Sequence, residues 1–312
     1  MPNVHTPEGM LLSTKENIEY TSTLSGLEKA MMQGKILESV ALLCDASMNL
    51  SFKLGGIYGR MERSEVTLTP DGMPPKDIAV ISRVGKAVCF KVIGFEKGRN
   101  GDPVALLSRR AAQEEYIQSV FSGLLPGDIL PSRVTHLEPF GAFVDIGCGV
   151  ISLLSIDCIS VSRISHPKDR FTPGQYIRTV VKSVDQREKR IFVSHKELLG
   201  TWEENAAKFT SGQTVTGIVR SIEDYGIFVE LAPNLAGLAE LREGVSVGQQ
   251  VAVYIKSILP ERMKIKLVLI DSFKGEQRAV MPFEYYVPES VTHMDLWQYS
   301  PSECHKLVES VF

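Results

Sequence analysis

The sequence predicts a mainly β protein with three tandem five-stranded barrels, joined by short helices and followed by a mixed C-terminal extension. An internal repeat and a period-two alternation of apolar residues predict this fold class. The chain has 312 residues, which allows about two average domains of roughly 150 residues or a larger number of small modules. Its composition, with 44% hydrophobic and 23% charged residues, is typical of a globular protein and argues against disorder over most of the chain.

The internal repeat is the stronger of these observations. The first half of a module recurs after 85 residues and its second half after 74. The matching segments are 127–134 with 212–219, 140–146 with 225–231, 174–175 with 248–249, and 190–191 with 264–265. The later copy is therefore 11 residues shorter. We place this deletion in a loop between the two halves, because loops tolerate changes of length better than strands do.

Each copy consists of short alternating segments separated by turn signals. Val144 and Ile146 share one face of a predicted strand, and Phe143 and Asp145 share the other, which is the pattern of a half-buried β-strand. The polar run 185–190 separates two such segments and predicts a hairpin with a basic tip. Five short strands in about 70 residues fit a small closed barrel better than a two-sheet sandwich.

A fainter copy lies upstream and lacks the Phe-Gly-x-Phe element. The predicted organisation is an N-terminal segment with a helix at 23–33 (1–33), a degenerate barrel (34–110), a helical linker (111–125), a second barrel (126–199), a helical linker (200–209), a shortened third barrel (210–271) and a C-terminal extension (272–312). Ser300 and Glu303 form a capping-box pattern with Pro301 at the first helical position. This pattern predicts a short helix that ends at Val311.

The motifs of the second and third copies resemble the S1 domain, an RNA-binding domain named after ribosomal small-subunit protein S1, whose fold is an oligonucleotide/oligosaccharide-binding (OB) barrel. The shared motifs are a glycine-started strand, an aromatic-Gly-x-Phe-Val-Asp/Glu strand, a Gly-Gln strand start and a basic-aliphatic final strand. Residues 34–110 match only in outline. The whole array is most similar to that of bacterial ribosomal protein S1.

The chain departs from the family at the histidine that follows a Gly-Leu turn. Ser155 stands at this place in the second barrel, and Glu240 stands there in the third. A carboxylate repels the phosphates of RNA. We therefore expect the third barrel to bind RNA more weakly than the second.

Four aromatic residues are the leading candidates for RNA contacts. If Val144 points inward, Phe143 points outward, and an outward ring offers a base a stacking surface of about 1–3 kcal/mol. Phe228 is its counterpart in the third barrel. Phe140 and Tyr225 precede these rings, and the glycine that follows each of them can bend the chain so that both rings share a surface. The alternative is that one ring of each pair belongs to the core.

Basic residues near these rings are the second set of candidates. Lys182, Arg190, Lys256 and Lys264 are expected to neutralise phosphates, although a solvated hairpin tip is the commoner role of such residues. The resemblance adds Asp185, which matches the family aspartate before the basic residue of the final hairpin. The doublet of Arg109 and Arg110 is either a phosphate clamp or a solvated strand end.

Charge is unevenly distributed along the chain, whose net charge is −3. Residues 34–110 carry 12 basic and 8 acidic side chains, residues 124–199 carry 10 and 8, residues 210–271 carry 6 and 7, and residues 272–312 carry 3 and 6. This distribution is compatible with moderate, sequence-tolerant RNA binding on local basic patches. It does not fit a tight and purely electrostatic grip.

Other functional classes find little support in the sequence. There is no apolar run of 18 residues, which excludes an ordinary membrane-spanning helix, and no secretory signal is visible. Five widely spaced cysteines without a C-x-x-C pair predict reduced thiols. The six histidines do not cluster at metal spacing. Asp145 with Asp185 could form the carboxylate pair of a metal-dependent nuclease, but we favour an edge carboxylate that bonds bases or a neighbouring arginine.

These observations predict a cytoplasmic protein that binds single-stranded RNA without catalysis, cofactor, metal ion or membrane partner. The resemblance implies a role in translation, such as capture of messenger RNA at the small ribosomal subunit. We expect the first barrel to serve mainly for docking on a ribosome or a protein. The alternative function is a protein-interaction adaptor, or an RNA-targeting subunit of an RNA-degradation or transcription complex.

Overall fold

Three closed five-stranded β-barrels and a small two-stranded sheet make up the protein in a computed structural model. The structure describes residues 6–69, 72–98, 100–188, 190–273 and 280–312. The predicted fold class, three tandem barrels with short helices and a C-terminal extension, is confirmed. Within the described ranges, no helix is both long enough and apolar enough to span a membrane.

The chain divides into two compact units. The first holds the described residues up to Leu124 together with Pro131–Arg133 and Asp145–Ile151. The second holds Leu125–Leu130, Val134–Val144 and the described residues from Ser152 onward. The first barrel therefore lies in the first unit, and most of the second barrel and all of the third lie in the second.

The first barrel has the strand order β1-β2-β3-β5-β4. Its strands are β1 (Leu37–Cys44), β2 (Leu50–Leu54), β3 (Ile57–Met61), β4 (Ala87–Lys97) and β5 (Pro103–Ser108). The helices of this unit are α1 (Lys15–Thr21), α2 (Leu24–Met32), α3 (Asp77–Ile81) and α4 (Arg109–Gly123). The rings of Phe52 and Phe90 meet in the barrel interior with their centroids 5.8 Å apart.

The second and third barrels share one topology, with β10-β8-β7-β6-β9 in the second and β11-β12-β13-β15-β14 in the third. Their elements are β6 (Ile129–Glu138), β7 (Gly141–Asp145), β8 (Ile151–Ser155), β9 (Tyr176–Asp185), β10 (Arg190–Ser194), α5 (Trp202–Ala206), β11 (Thr214–Glu223), β12 (Gly226–Ala232), β13 (Leu235–Ala239), β14 (Gln250–Leu259) and β15 (Lys264–Phe273). Short 3-10 turns lie at Arg63–Glu65, Ile156–Cys158, Pro167–Asp169, Lys196–Leu199 and Pro260–Arg262.

The repeat is also visible in the backbone. Gly127 and Gly212, which start equivalent strands, have φ angles of 91° and 90°, a conformation that only glycine adopts readily. The third barrel is shortened where the sequence predicts it. The connection from β8 to β9 runs over residues 156–175, whereas that from β13 to β14 runs over residues 240–249 only.

Side-chain caps start three of the helices. The Thr23 hydroxyl accepts the Gly26 N–H before α2, and the Ser108 hydroxyl accepts the Ala111 N–H before α4. Thr201 forms a capping box with Glu204 before α5. These caps begin the three helices where a local sequence pattern predicts them. Helix α1 was not predicted.

The predicted helix from Ser300 to Val311 is wrong. Residues Leu296–Gln298 (β16) and Glu309–Val311 (β17) instead form an antiparallel pair, and the Ser300 hydroxyl accepts the Val308 N–H. Trp297 and Tyr299 pack into the core of the third barrel. Burial of these two large rings outweighs the local capping preference, because aromatic burial contributes more than one helix cap does.

The C-terminal segment also packs on the second barrel. The Arg178 guanidinium donates to the carbonyl oxygens of Val287 and Pro288 over 2.5 and 3.0 Å, and the Arg178 N–H donates to the Tyr285 hydroxyl over 2.8 Å. The Tyr285 ring lies 5.6 Å from that of His195. Burial lowers the pKa of His195 to about 4, so this ring is a neutral part of the core. The extension therefore covers parts of both barrels of the second unit.

The structure also corrects the expected places of Asp145 and Arg109. Asp145 was expected on an open outer face beside Phe143, but it is 2% exposed and accepts the Glu8, Gly147 and Gly149 N–H groups over 2.8, 2.9 and 3.0 Å. Arg109 is neither a phosphate clamp nor a solvated strand end. It is buried and pairs with the Glu8 carboxylate over 2.6 Å.

A second buried carboxylate, that of Glu38, ties the N-terminal segment to β1. It accepts the Gly9 and Leu11 N–H groups over 3.0 and 2.9 Å. Burial raises the pKa of Glu38 to about 7. Since this group binds its proton more tightly in the folded state, it lowers the stability of the first unit as pH rises from about 4.5 to about 7.

Replacing Glu38 by glutamine is expected to flatten this pH dependence and to stabilise the first unit at pH 8. The difference is on the order of 3 kcal/mol, at about 1.4 kcal/mol for each pKa unit. Urea unfolding at pH 5 and pH 8, followed by far-UV circular dichroism, measures it. The exposed Glu28 on α2 gives the control variant Glu28→Gln. A parallel loss of stability with pH in wild type and Glu38→Gln would contradict this prediction.

Candidate nucleic-acid interface

An open groove of about 620 Å³ crosses the outer face of the third barrel. Its shape follows from strand alternation, because Ile227 and Val229 are buried whereas Phe228 between them is only half-buried. Phe228 is the register partner of Leu238 on β13. The groove is lined by Tyr225, Phe228, Ala236, Gly237, Leu238, Ala239, Glu240, Lys256, Met263, Lys264, Ile265, Lys266, Leu267 and Val268. It brings together all four residues that the sequence predicts as RNA contacts in this barrel.

The two rings of this groove form a defined pair. Tyr225 is 70% exposed, and its ring meets that of Phe228 edge to face, with centroids 6.0 Å apart and planes at 90°. Gly226 makes this arrangement possible. Its φ angle is 149°, and a β-carbon there would lie 2.5 Å from the Ala239 carbonyl oxygen. A larger residue would push the two strands apart at this point.

The second barrel carries the same pair at the equivalent positions. Phe140 is 55% exposed, and its ring meets the half-buried Phe143 with centroids 6.0 Å apart and planes at 90°. His136 adds a third ring, roughly parallel to Phe143 at 6.4 Å and 27°. The sequence reasoning missed His136. Its signal is the repeat, because Ser221 at the same place in the third barrel is the register partner of Phe228.

Lysines supply the positive charge of the third-barrel groove. Lys256 and Lys264 are exposed. Lys266, which the sequence reasoning missed, is exposed too and lies beside Leu238 in register. The residues of β15 alternate between exposed and buried, so the period-two pattern could have found Lys266 from Lys264. Three cations therefore line the same groove as the two rings.

The predicted cations of the second barrel lie at the equivalent positions. Arg190 and Lys182 are exposed, and the Lys182 ammonium donates to the Cys158 sulfur over 3.2 Å. This hydrogen bond raises the pKa of Lys182, so the side chain stays charged. Phe192, which takes the place of Lys266, is half-buried and pairs in register with Leu153. It adds apolar surface that was not predicted.

Asp185 is placed at the hairpin turn between β9 and β10. One of its oxygens accepts the Arg187 and Glu188 N–H groups over 3.0 and 2.9 Å, which fixes the turn that precedes Arg190. A turn-capping carboxylate of this kind positions its neighbours through the backbone. In this structure Asp185 holds the start of β10, and its second oxygen is the one that could face a base.

The first barrel differs from the other two in its basic residues. Arg60 pairs with Glu62 and Glu96 over 3.1 and 2.9 Å, and Lys91 pairs with Glu115. Ion-paired side chains are less available to phosphates than free ones are. Within the described part of the chain, no group of three or more histidine, cysteine, aspartate or glutamate side chains could hold a metal ion.

Comparison with known proteins agrees with this geometry. Residues 125–196 match the S1 RNA binding domain. The chain is 29% identical over 222 residues to the small ribosomal subunit protein bS1 homolog of Bacillus cereus, covering 66% of this chain and 57% of that protein. It is 28% identical over 271 residues to small ribosomal subunit protein bS1 of Neisseria meningitidis, covering 81% of this chain and 46% of that protein.

A third relative carries an enzyme name. The chain is 31% identical over 200 residues to the 4-hydroxy-3-methylbut-2-enyl diphosphate reductase of Clostridium tetani, covering 63% of this chain and 31% of that protein. The chain spans about half the length of the bS1 relatives that it matches. The matched domain and the three barrels together identify the chain as an S1-like array of OB barrels, with an S1 RNA binding domain at residues 125–196.

Proposed function

We propose that the second and third barrels bind single-stranded RNA across their outer faces, with bases stacked on the ring pairs and phosphates held by the nearby cations. The observation that carries this proposal is the repeated pair geometry. Two edge-to-face pairs with the same 6.0 Å separation stand at equivalent places on the two barrels. Open rings beside cations are the usual platform for unpaired bases.

The proposed sites are the predicted ones. The stacking rings are Phe140, Phe143, Tyr225 and Phe228, the phosphate contacts are Lys182, Arg190, Lys256 and Lys264, and Asp185 supports the second hairpin. Two modest sites on one chain gain apparent affinity when both reach the same strand. The proposal assigns binding to this chain and no chemical step.

Titration of a labelled uridine-rich oligonucleotide at two salt concentrations tests this function. Four phosphate contacts on a single strand give a slope of about −3 in log affinity against log salt. The affinity is then expected to fall about 50-fold between about 50 mM and about 200 mM salt. Failure of the oligonucleotide to bind at low salt would refute the proposal. Binding that does not respond to salt would favour an apolar interface instead.

Single lysine variants refine this test. Lys264→Gln is expected to weaken binding of all RNA sequences alike and to reduce the magnitude of the salt slope by about 0.7, because one phosphate contact is lost. The exposed Lys15 on α1 provides the matched control Lys15→Gln, which should leave the slope unchanged. An unaltered slope for Lys264→Gln would remove this residue from the proposed site.

The cellular role that we propose is in translation, in the cytoplasm, through capture of messenger RNA at the small ribosomal subunit. It is supported by the names of the bS1 relatives, which are ribosomal proteins of the small subunit. Sedimentation of cell lysate through a sucrose gradient tests this role. The chain should travel with small subunits at low salt. A chain that remains at the top of the gradient at every salt concentration would exclude it.

A further inference from the structure

We infer that Glu240 makes the third barrel selective for guanine, an inference that rests on the proposed RNA-binding function. Glu240 lines the groove that holds Tyr225, Phe228 and three exposed lysines. If this groove took phosphates alone, a carboxylate in it would only weaken binding. A carboxylate that meets the edge of a base gives the same groove a way to choose between bases.

The position of Glu240 beside the rings follows from strand register. Phe228 pairs with Leu238 and Ile227 pairs with Ala239, so the next position opposite Gly226 is Glu240. Gly226 has no side chain to stand between the carboxylate and Tyr225. The charged group therefore projects at the edge of the stacking platform, where the hydrogen-bonding edge of a stacked base would lie.

The Glu240 carboxylate is also available. It is exposed, and within the described ranges it has neither an ion pair nor a hydrogen bond. The three lysines of the groove outnumber this one carboxylate. The groove therefore keeps a net positive charge for the backbone of RNA while it offers two acceptor oxygens at one point.

Guanine is the base that fits two adjacent acceptor oxygens. Its Watson–Crick edge presents the N1–H and N2–H donors side by side, and both can point at one carboxylate. Adenine and cytosine each offer one amino group on that edge, and uracil offers one N–H between two carbonyl oxygens that a carboxylate repels. Proteins read unstacked bases through such edge contacts, and a paired contact of this kind gives marked discrimination between bases.

The second barrel lacks this feature. Ser155 stands at the equivalent place, next to Gly141, and it carries no charge. The array would thus combine a sequence-tolerant second barrel with a guanine-selective third barrel. This division gives the departure from the family histidine a function that simple repulsion of phosphate does not.

Binding of three oligonucleotides to the full chain tests the inference. The first is a short uridine oligonucleotide, the second carries one central guanosine, and the third carries inosine there, which lacks the 2-amino group. Wild type is expected to prefer the guanosine oligonucleotide over the uridine one by about fivefold or more, and inosine should lose much of this preference. Glu240→Gln should remove the preference and bind the uridine oligonucleotide at least as tightly as wild type.

The matched control is Glu243→Gln, which removes an exposed carboxylate from the same loop without lining the groove. It should keep the preference for guanosine. Salt-dependent binding with no guanosine preference, or with a preference that Glu240→Gln leaves intact, would overturn the role of Glu240 and leave RNA binding in place. Failure of every oligonucleotide to bind wild type would instead overturn the proposed function, and the inference with it.

Discussion

Replacing both Phe140 and Phe143 by alanine is expected to weaken binding of single-stranded RNA by about 30-fold or more. Each ring that stacks on a base contributes about 1–3 kcal/mol, and the loss of two such contacts at the lower limit is about 2 kcal/mol. The effect should exceed that of the equivalent Tyr225→Ala/Phe228→Ala pair for uridine-rich RNA, because Glu240 opposes phosphates near the third-barrel rings. Fluorescence anisotropy of a labelled oligonucleotide measures both losses.

The control for this prediction is another exposed aromatic residue. Tyr58 on β3 is 64% exposed and lies on the first barrel, so Tyr58→Ala should bind RNA as wild type does. The double variant should also stay folded, because Phe140 is largely exposed and Phe143 is only half-buried. A folded double variant with unchanged affinity would show that RNA does not use these rings.

The three barrels were predictable because their signals are local and repeated. Glycine turns, period-two strands and the 85-residue offset each lie within a few residues of sequence. The C-terminal extension shows the limit of such signals. Ser300 and Glu303 form a valid capping pattern, but the fate of this segment depends on Trp297 and Tyr299, which are buried in a barrel core that lies far away along the chain. A local pattern has no knowledge of that distant surface.

The candidate site shows the same division. Alternation around Val144 and Ile227 indicates which aromatic side chain points outward, and the repeat transfers the result from one barrel to the next. Alternation cannot say whether an outward side chain is then covered. Asp145 and Glu230 stand at equivalent positions after Phe143 and Phe228, and both are buried by charged partners that are distant in sequence. Long-range pairing of this kind leaves no periodic signal.

Replacing Glu230 by glutamine is expected to destabilise the second unit by about 3–5 kcal/mol, because a buried charge that loses its partner is costly. The Glu230 carboxylate bridges Arg170, from the loop after β8, and Arg220 on β11. A second acid, Asp169, lies 3.5 Å from Arg220. All four side chains are at most 3% exposed. Their charges cancel in wild type and leave one positive charge unbalanced in the variant.

Tryptophan fluorescence in urea isolates this effect. The chain has two tryptophans, and both Trp202 and Trp297 lie in the core of the third barrel, so the signal reports unfolding of the second unit alone. Glutamine has almost the same volume as glutamate, so the loss reflects charge rather than a cavity. Glu243→Gln, which removes an exposed carboxylate, should change stability by less than about 0.5 kcal/mol.

Salt separates a buried network from a surface one. High salt screens exposed ion pairs within a few ångströms but screens buried pairs much less, so the loss caused by Glu230→Gln should persist at about 1 M salt. A loss below about 1 kcal/mol, or one that disappears in high salt, would mean that water reaches these side chains. The junction between the second and third barrels would then be looser than the four buried charges require, because an arginine pair without a carboxylate stays folded only where solvent can hydrate it.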